Sequence, residues 1–254
     1  FPEHWVSWHH QVLPLLEQGY RVWMPDMRGY NLSDCPKRVS DYRIKTLGAD
    51  VCGLINASGA TSCVLIGHDW GAAIAWWVAA EHPDLVHRLV IANVPHPRVF
   101  RRHVFTSLRQ LMASWYMFFF QLPFLPQWLL SRRDYDWMSK AVFATALPGT
   151  FCEAEVLRYK AAWSRAKLNP MLNYYRAALR YQDLPKPGKL KMPTLIIWGK
   201  KDQALRFEMA SMSLEHCDQG KLVVIEEATH WVHHDDPQGF NGHINAFLST
   251  GNQL

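Results

Sequence analysis

Short apolar runs alternate with amphipathic stretches along most of this chain. "SCVLIG" (62–67) has the length and branched content of a buried parallel strand, and the alanine-rich "WGAAIAWWVAAEHP" after it reads as a helix. "YRVWMP" (20–25) and "VHRLVIAN" (86–93) read as further strands. Between them, 41–59 carries Ile44, Leu47, Val51, Leu54 and Ile55 at helical spacing and closes on Gly59. The rhythm returns late in the chain with "PTLIIWG" (193–199), a helix over 204–215, "KLVVIEEA" (221–228) and a last helix over 239–249. Strands alternating with helices predict an α/β fold whose mostly parallel sheet carries helices on both faces.

The interval 97–185 breaks the alternation. It holds no strand pattern, is rich in aromatic residues and arginine, and is fenced by "VPHPRV" and "DLPKPGKLKMP". It predicts an all-helical cap inserted between two strands, with 1–96 and 186–254 forming the core. Such a cap would cover the carboxyl edge of the sheet, where ligands bind in open α/β folds.

Composition narrows the classes. Of 254 residues 49% are hydrophobic and 19% charged, which excludes a disordered chain. The net charge of +5 comes from scattered pairs such as Arg101-Arg102, Arg132-Arg133 and Lys200-Lys201 without a nucleic-acid motif, so no nucleic-acid partner is expected. The five cysteines form no Cys-x-x-Cys pair, which points away from a disulfide framework or thiolate metal site and toward a cytoplasmic protein. The most apolar stretch, "WYMFFFQLPFLPQWLL" (115–130), is too short and too proline-interrupted to span a bilayer.

"GHDWGAAIAW" (67–76) sets Asp69 at a strand-to-helix turn, where Gly-x-Ser-x-Gly hydrolases place a serine. The flanking glycines are expected to allow the backbone segments to approach closely. On spacing alone Asp69 could equally be a helix cap. Asp202, in "LIIWGKKDQAL", and His230, in "EEATHWVHHDDP", each follow a predicted strand. Nucleophile, acid and histidine in that chain order match the triad order of α/β-hydrolases. His230, His233, His234, Asp235 and Asp236 also supply metal-ligand types, but the segment falls where the triad histidine belongs. His233 and His234 therefore read as a solvated loop or helix start, and His4, His9, His10 and His68 as structural or surface residues. Neither a metal nor a cofactor is expected.

The segments "FPEHWVSWHHQ", "PDMRGYNLSD", "GHDWGAAIAW", "IIWGKKD" and "ATHWVHHDDP" resemble those of epoxide hydrolases of the α/β-hydrolase superfamily, from the first residue nearly to the last. The resemblance implies a small apolar epoxide and water as reactants, and two cap tyrosines that hold and protonate the epoxide oxygen: Tyr116 in "SWYMFFFQLP" and Tyr175 in "NPMLNYYRA". It also implies that the backbone N–H groups of Trp70 and Phe1 form the oxyanion hole. Sequence physics supports Tyr175 separately. Asn169-Pro170 reads as N-cap and first turn of a helix whose apolar stripe holds Met171, Leu172, Tyr175, Ala178 and Leu179, with Tyr174 off it.

The chemistry is coherent. A carboxylate of pKa about 3.9 is ionised at neutral pH and can displace a leaving group from saturated carbon, forming an alkyl ester. An alkoxide leaves only if protonated, which phenols of pKa about 10 can do. Two alternatives share the elbow: a haloalkane dehalogenase with the same Asp69 nucleophile, in which Trp70 would serve a halide, and a catalytically idle ligand-binding relative. The chain opens at "FPE", without the His-Gly that precedes these residues in the family loop, so an upstream segment on the order of 40 residues or more is expected. Trp115, Phe118, Phe119, Phe120, Phe124, Trp128 and Trp163 are expected to line an apolar tunnel. Substrate preference and oligomeric state are not encoded in any of these patterns.

Overall fold

The computed structural model describes residues 1–163 and 165–250, with the side chains of 165–167 left out. After α1 (His9–Glu17), α2 spans Ile44–Ala57 and closes before Gly59, whose φ of 77° favours glycine. The sheet has four parallel strands in chain order: β1 (Cys63–His68), β2 (Val86–Ala92), β3 (Thr194–Gly199) and β4 (Gly220–Ile225). The helix α3 (Trp70–Glu81) crosses from β1 to β2.

Alternation along the strands sorts the core into two layers. Leu89 and Ile91 of β2 and Ile196 and Trp198 of β3 join the core that includes Ile74 and Val78 of α3. Their neighbours Val90, Ala92, Leu195 and Ile197 pack with Phe240, Ile244 and Leu248. Both faces are therefore covered by helices, which is why Leu89 to Ala92 of β2 and Leu195 to Trp198 of β3 are apolar without interruption rather than alternating with polar residues.

Between β2 and β3 the described chain is helical: α4 (Pro97–Thr106), α5 (Leu108–Ala113), α6 (Trp115–Phe119), α7 (Leu125–Leu130), α8 (Arg132–Phe143), α9 (Glu153–Ala162) and α10 (Arg165–Tyr181). The remaining helices are α11 (Glu208–Leu214), α12 (Val232–Asp235) and α13 (Pro237–Ser249), the last supplying the Phe240 face. No helix among the described residues is long and apolar enough to cross a membrane.

Three expected elements differ. Residues 20–25 form no strand and pair with none of β1 to β4. Val22 and Met24 line a cavity of about 480 Å³ together with Val64 and Ile66 of β1. The helix expected from 204 starts at Glu208, because the Ala204 and Leu205 N–H groups donate to Asp202 Oδ1. Asn169-Pro170 is not a helix start: Pro170 lies inside α10, and Asn169 Oδ1 instead accepts from Gln127 Nε2 and Arg176 Nη1.

Candidate active site

Each predicted polar residue follows the carboxyl end of a strand, and parallel strands bring those ends to one edge. Directly after β1, Asp69 adopts φ 48°, ψ −127°, a conformation that costs an aspartate backbone strain. Gly67 makes the turn possible. A Cβ there would lie 2.6 Å from the Gly71 carbonyl oxygen and 2.7 Å from the Ala72 nitrogen. A Cβ at Gly71 would meet nothing within 4 Å, so the close approach requires only the first of the two glycines.

The turn aims the Asp69 carboxylate at two backbone nitrogens. Its Oδ2 accepts from Trp70 N and from Phe1 N, each at 2.6 Å. Asp69 is thus also the cap of α3, and capping and display of the carboxylate are one geometry. Burial pushes its pKa up, and the His230 imidazole beside it pulls it down.

His230 Nε2 lies 3.3 Å from Asp69 Oδ1, and on the other side of the ring Nδ1 donates to Asp202 Oδ2 at 2.7 Å. Asp202 cannot swing away. Its Oδ1 accepts from Ala204 N at 2.8 Å and Leu205 N at 2.9 Å, and Asn93 Nδ2 donates to its Oδ2 at 2.8 Å. Burial lowers the His230 pKa, yet Asp202 and Asp69 more than reverse this and raise it to about 10. With Asp69 ionised, the resting ring is therefore an imidazolium.

From the helical interval, Tyr175 of α10 packs edge-on to Trp70 at 5.1 Å and to Phe1 at 5.4 Å between ring centroids. Tyr116 of α6 meets Tyr175 at 5.7 Å. Burial, and then the nearby Asp69 charge, push both phenols above their ordinary pKa and keep them protonated. Tyr174, off the Tyr175 stripe, also packs on Trp70, at 5.4 Å between ring centroids, but donates its hydroxyl to the Arg28 carbonyl at 2.6 Å. The expected aromatic tunnel does not form as drawn. Trp115, Phe118, Phe124 and Trp128 are exposed, whereas Phe120 and Trp163 are buried and only Phe120 among them packs on both Phe1 and Tyr175.

A family model described as the alpha/beta hydrolase fold matches residues 1–237. The AB hydrolase superfamily protein YfhM of Bacillus subtilis (strain 168) is 40% identical over 98% of this chain and 88% of its own length. Epoxide hydrolase 3 of Xenopus tropicalis is 36% identical, over 98% of this chain and 69% of its own. Among solved structures, an epoxide hydrolase of Bacillus megaterium in complex with an inhibitor superposes with a TM-score of 0.86 at 31% identity, covering 98% of this chain and 90% of that one. The chain belongs to the α/β-hydrolase family, among its epoxide hydrolases.

The site also engages residues that the sequence did not single out. Asn93, directly after β2 at φ 51°, bonds Asp202 with its amide nitrogen and accepts from Gly199 N with its oxygen at 2.8 Å, tying the ends of β2 and β3 together. An asparagine closing an apolar strand is the one available signal, since it tolerates the left-handed region. His68 Nε2 donates to the His230 carbonyl at 2.9 Å, a buried structural role as expected.

Glu3 sits behind His68 in a buried cluster. Tyr159 Oη donates to its Oε1 at 2.7 Å, and His234 Nε2 lies 2.8 Å from the same oxygen. Burial raises the Glu3 pKa, but His234, His68 and His233 together bring it well below the ordinary value. His233 and His234 are therefore not solvated: tertiary packing buries both, His233 between Trp8 and His68. Glu3, His233 and His234, or His9, His10 and His234, could hold a metal, with ligand atoms within 4.8 Å of one another. Neither set includes Asp69, Asp202 or His230. Asp235 is engaged by Thr229 and Thr150, and Asp236 caps α13.

Proposed function

We propose that this α/β-hydrolase opens epoxides to vicinal diols in two steps, through an alkyl ester on Asp69. In the first, Asp69 Oδ1 attacks an epoxide carbon, the ring C–O bond breaks, and Tyr175 or Tyr116 gives its proton to the departing oxygen. In the second, His230 takes a proton from water as the water oxygen attacks the ester carbonyl carbon. The charge that develops on Oδ2 meets the N–H groups of Trp70 and Phe1, donors of a kind whose single loss costs about 10² to 10³ in rate. Collapse returns the histidine's proton to the product alkoxide, and the proton left on the Asp69 carboxyl passes to His230 and restores the resting imidazolium. Asp202 holds the imidazole in the required tautomer.

The convergence on Asp69 carries this reading: one oxygen on two backbone nitrogens, the other 3.3 Å from His230 Nε2, with two protonated phenols beside it. The His230 pKa adds a reason for the order of steps. Esterification removes the Asp69 charge that helps raise the imidazole pKa, so the imidazolium passes its proton to the phenolate left by ring opening and becomes the neutral base that the second step needs. A related Bacillus megaterium epoxide hydrolase variant, 29% identical, has been solved with its product, a naphthyloxy-propane-1,2-diol, which is a product of this class.

In this reading residues 97–185 act as the cap, the reactants are an apolar epoxide and water, and the five free thiols suit a cytoplasmic setting. The test is His230→Gln incubated with styrene oxide and followed by peptide mass spectrometry. One epoxide mass should accumulate on the Asp69 peptide. An unmodified Asp69 would refute the covalent route. Turnover of chloroalkanes but not epoxides by the unmodified protein would instead identify a dehalogenase, and tight binding without turnover an idle relative.

A further inference from the structure

The aromatic residues that do not line the site leave an unassigned surface. Along α4 to α7, Phe105, Leu108, Met112, Trp115, Phe124 and Trp128 are between 50% and 83% exposed. Monomeric proteins rarely leave so many large apolar side chains uncovered in one run of chain. Phe124, the most exposed of these, is held at φ 61°, a strained conformation for an aromatic residue, where its ring gains no core contact in return.

Charge identifies what covers it. Residues 97–133 contain six arginines (Arg98, Arg101, Arg102, Arg109, Arg132 and Arg133) and no aspartate or glutamate, while the rest of the chain sets 21 Lys and Arg against 22 Asp and Glu. The protein's whole cationic excess thus lies on this segment. All of these arginines except Arg98 are exposed, and the Arg132 guanidinium stacks on Trp128, its carbon 4.5 Å from the ring centroid. A second copy of the chain would oppose like charge to like charge. An anionic lipid surface satisfies both observations, since headgroups take the arginines while Trp, Phe and Leu enter the interface.

We propose that the outer side of α4 to α7 is a peripheral docking surface for anionic phospholipid membranes. Docking places α6 between lipid and site: Trp115 faces outward, and the next residue, Tyr116, faces inward to Tyr175. Lipophilic molecules dissolved in the bilayer are then delivered beside the candidate active site.

The test is flotation of the full chain with phosphatidylglycerol vesicles and with phosphatidylcholine vesicles, at low and high salt. Binding should be at least about tenfold stronger to the anionic vesicles and should fall with salt. Arg101→Glu with Arg102→Glu should weaken it by about tenfold or more, and so should Phe105→Ser with Phe124→Gly. The glycine relieves the strained φ, so the second pair keeps its melting temperature, and both pairs keep the vesicle-free hydrolysis of a water-soluble epoxide. Equal binding to both vesicle types, or none, overturns the proposal. So does a dimer in sedimentation velocity that these same substitutions disperse, because the surface would then belong to a second copy.

Discussion

The sheet edge and the helical interval hold their functional side chains by different means. At the sheet edge, Asp69 rests on two backbone nitrogens and Asp202 on two more plus Asn93, each placed by the end of a strand. In the helices, Tyr116 and Tyr175 are positioned among aromatic rings, Tyr175 between Trp70, Phe1 and Phe120. Backbone bonds fix a charge to within tenths of an ångström, as the proposed covalent chemistry at Asp69 requires. Ring packing fixes direction more loosely, and suits groups that must follow the shape of a substrate. Residues that carry charge should therefore fail completely when changed, and those that carry shape only partly.

Asp69→Asn should be the most severe, lowering turnover by at least about 10⁴-fold in initial-rate assays and abolishing the adduct on residue 69. Asp202→Asn should cost about 10⁴-fold, from loss of the correct imidazole tautomer. Stopped-flow measurements should locate that loss in ester hydrolysis while ester formation persists. Tyr175→Phe and Tyr116→Phe should each cost about 10²-fold, now in ester formation. A tyrosine variant as inactive as Asp69→Asn would break the distinction between the two regions.

Smaller effects should sharpen it. Asn93→Ala should destabilise the fold by about 1 to 3 kcal/mol in chemical denaturation, because it leaves the Gly199 N–H without its buried acceptor. The last expectation concerns pH. The folded-state pKa of His230, about 10, lies above the ordinary imidazole value of about 6.5, so its stabilisation is complete below the latter and lost as pH rises through the former. The thermal midpoint should accordingly fall between those values, and His230→Gln should flatten the fall.

The sheet was legible because its signals are local. Parallel strands buried on both faces are continuous apolar runs, and β1 to β4 lie within a few residues of their expected bounds. The 20–25 segment shows the limit of that logic, since its side chains favour a strand while pairing depends on a neighbour that a local pattern does not report. The three polar residues that the structure brings together, Asp69, Asp202 and His230, were equally legible, each just after such a run. Asn93 and Glu3 were not, because their partners Asp202 and Tyr159 are 109 and 156 residues away along the chain. His233 and His234 misled for the same reason: a polar run reads as solvated until Trp8 and Phe151 pack against it.

The order of apolar runs and the residues following them determined the fold class, the elbow and the chain order of acid and base, since backbone periodicity acts over a few residues. Tertiary structure alone decided which aromatic rings face Asp69 and which face solvent. All lie in similarly apolar helices, and only packing against Phe1, Trp70 and Tyr175 distinguishes Phe120, turned toward the site, from Phe124, turned away from it.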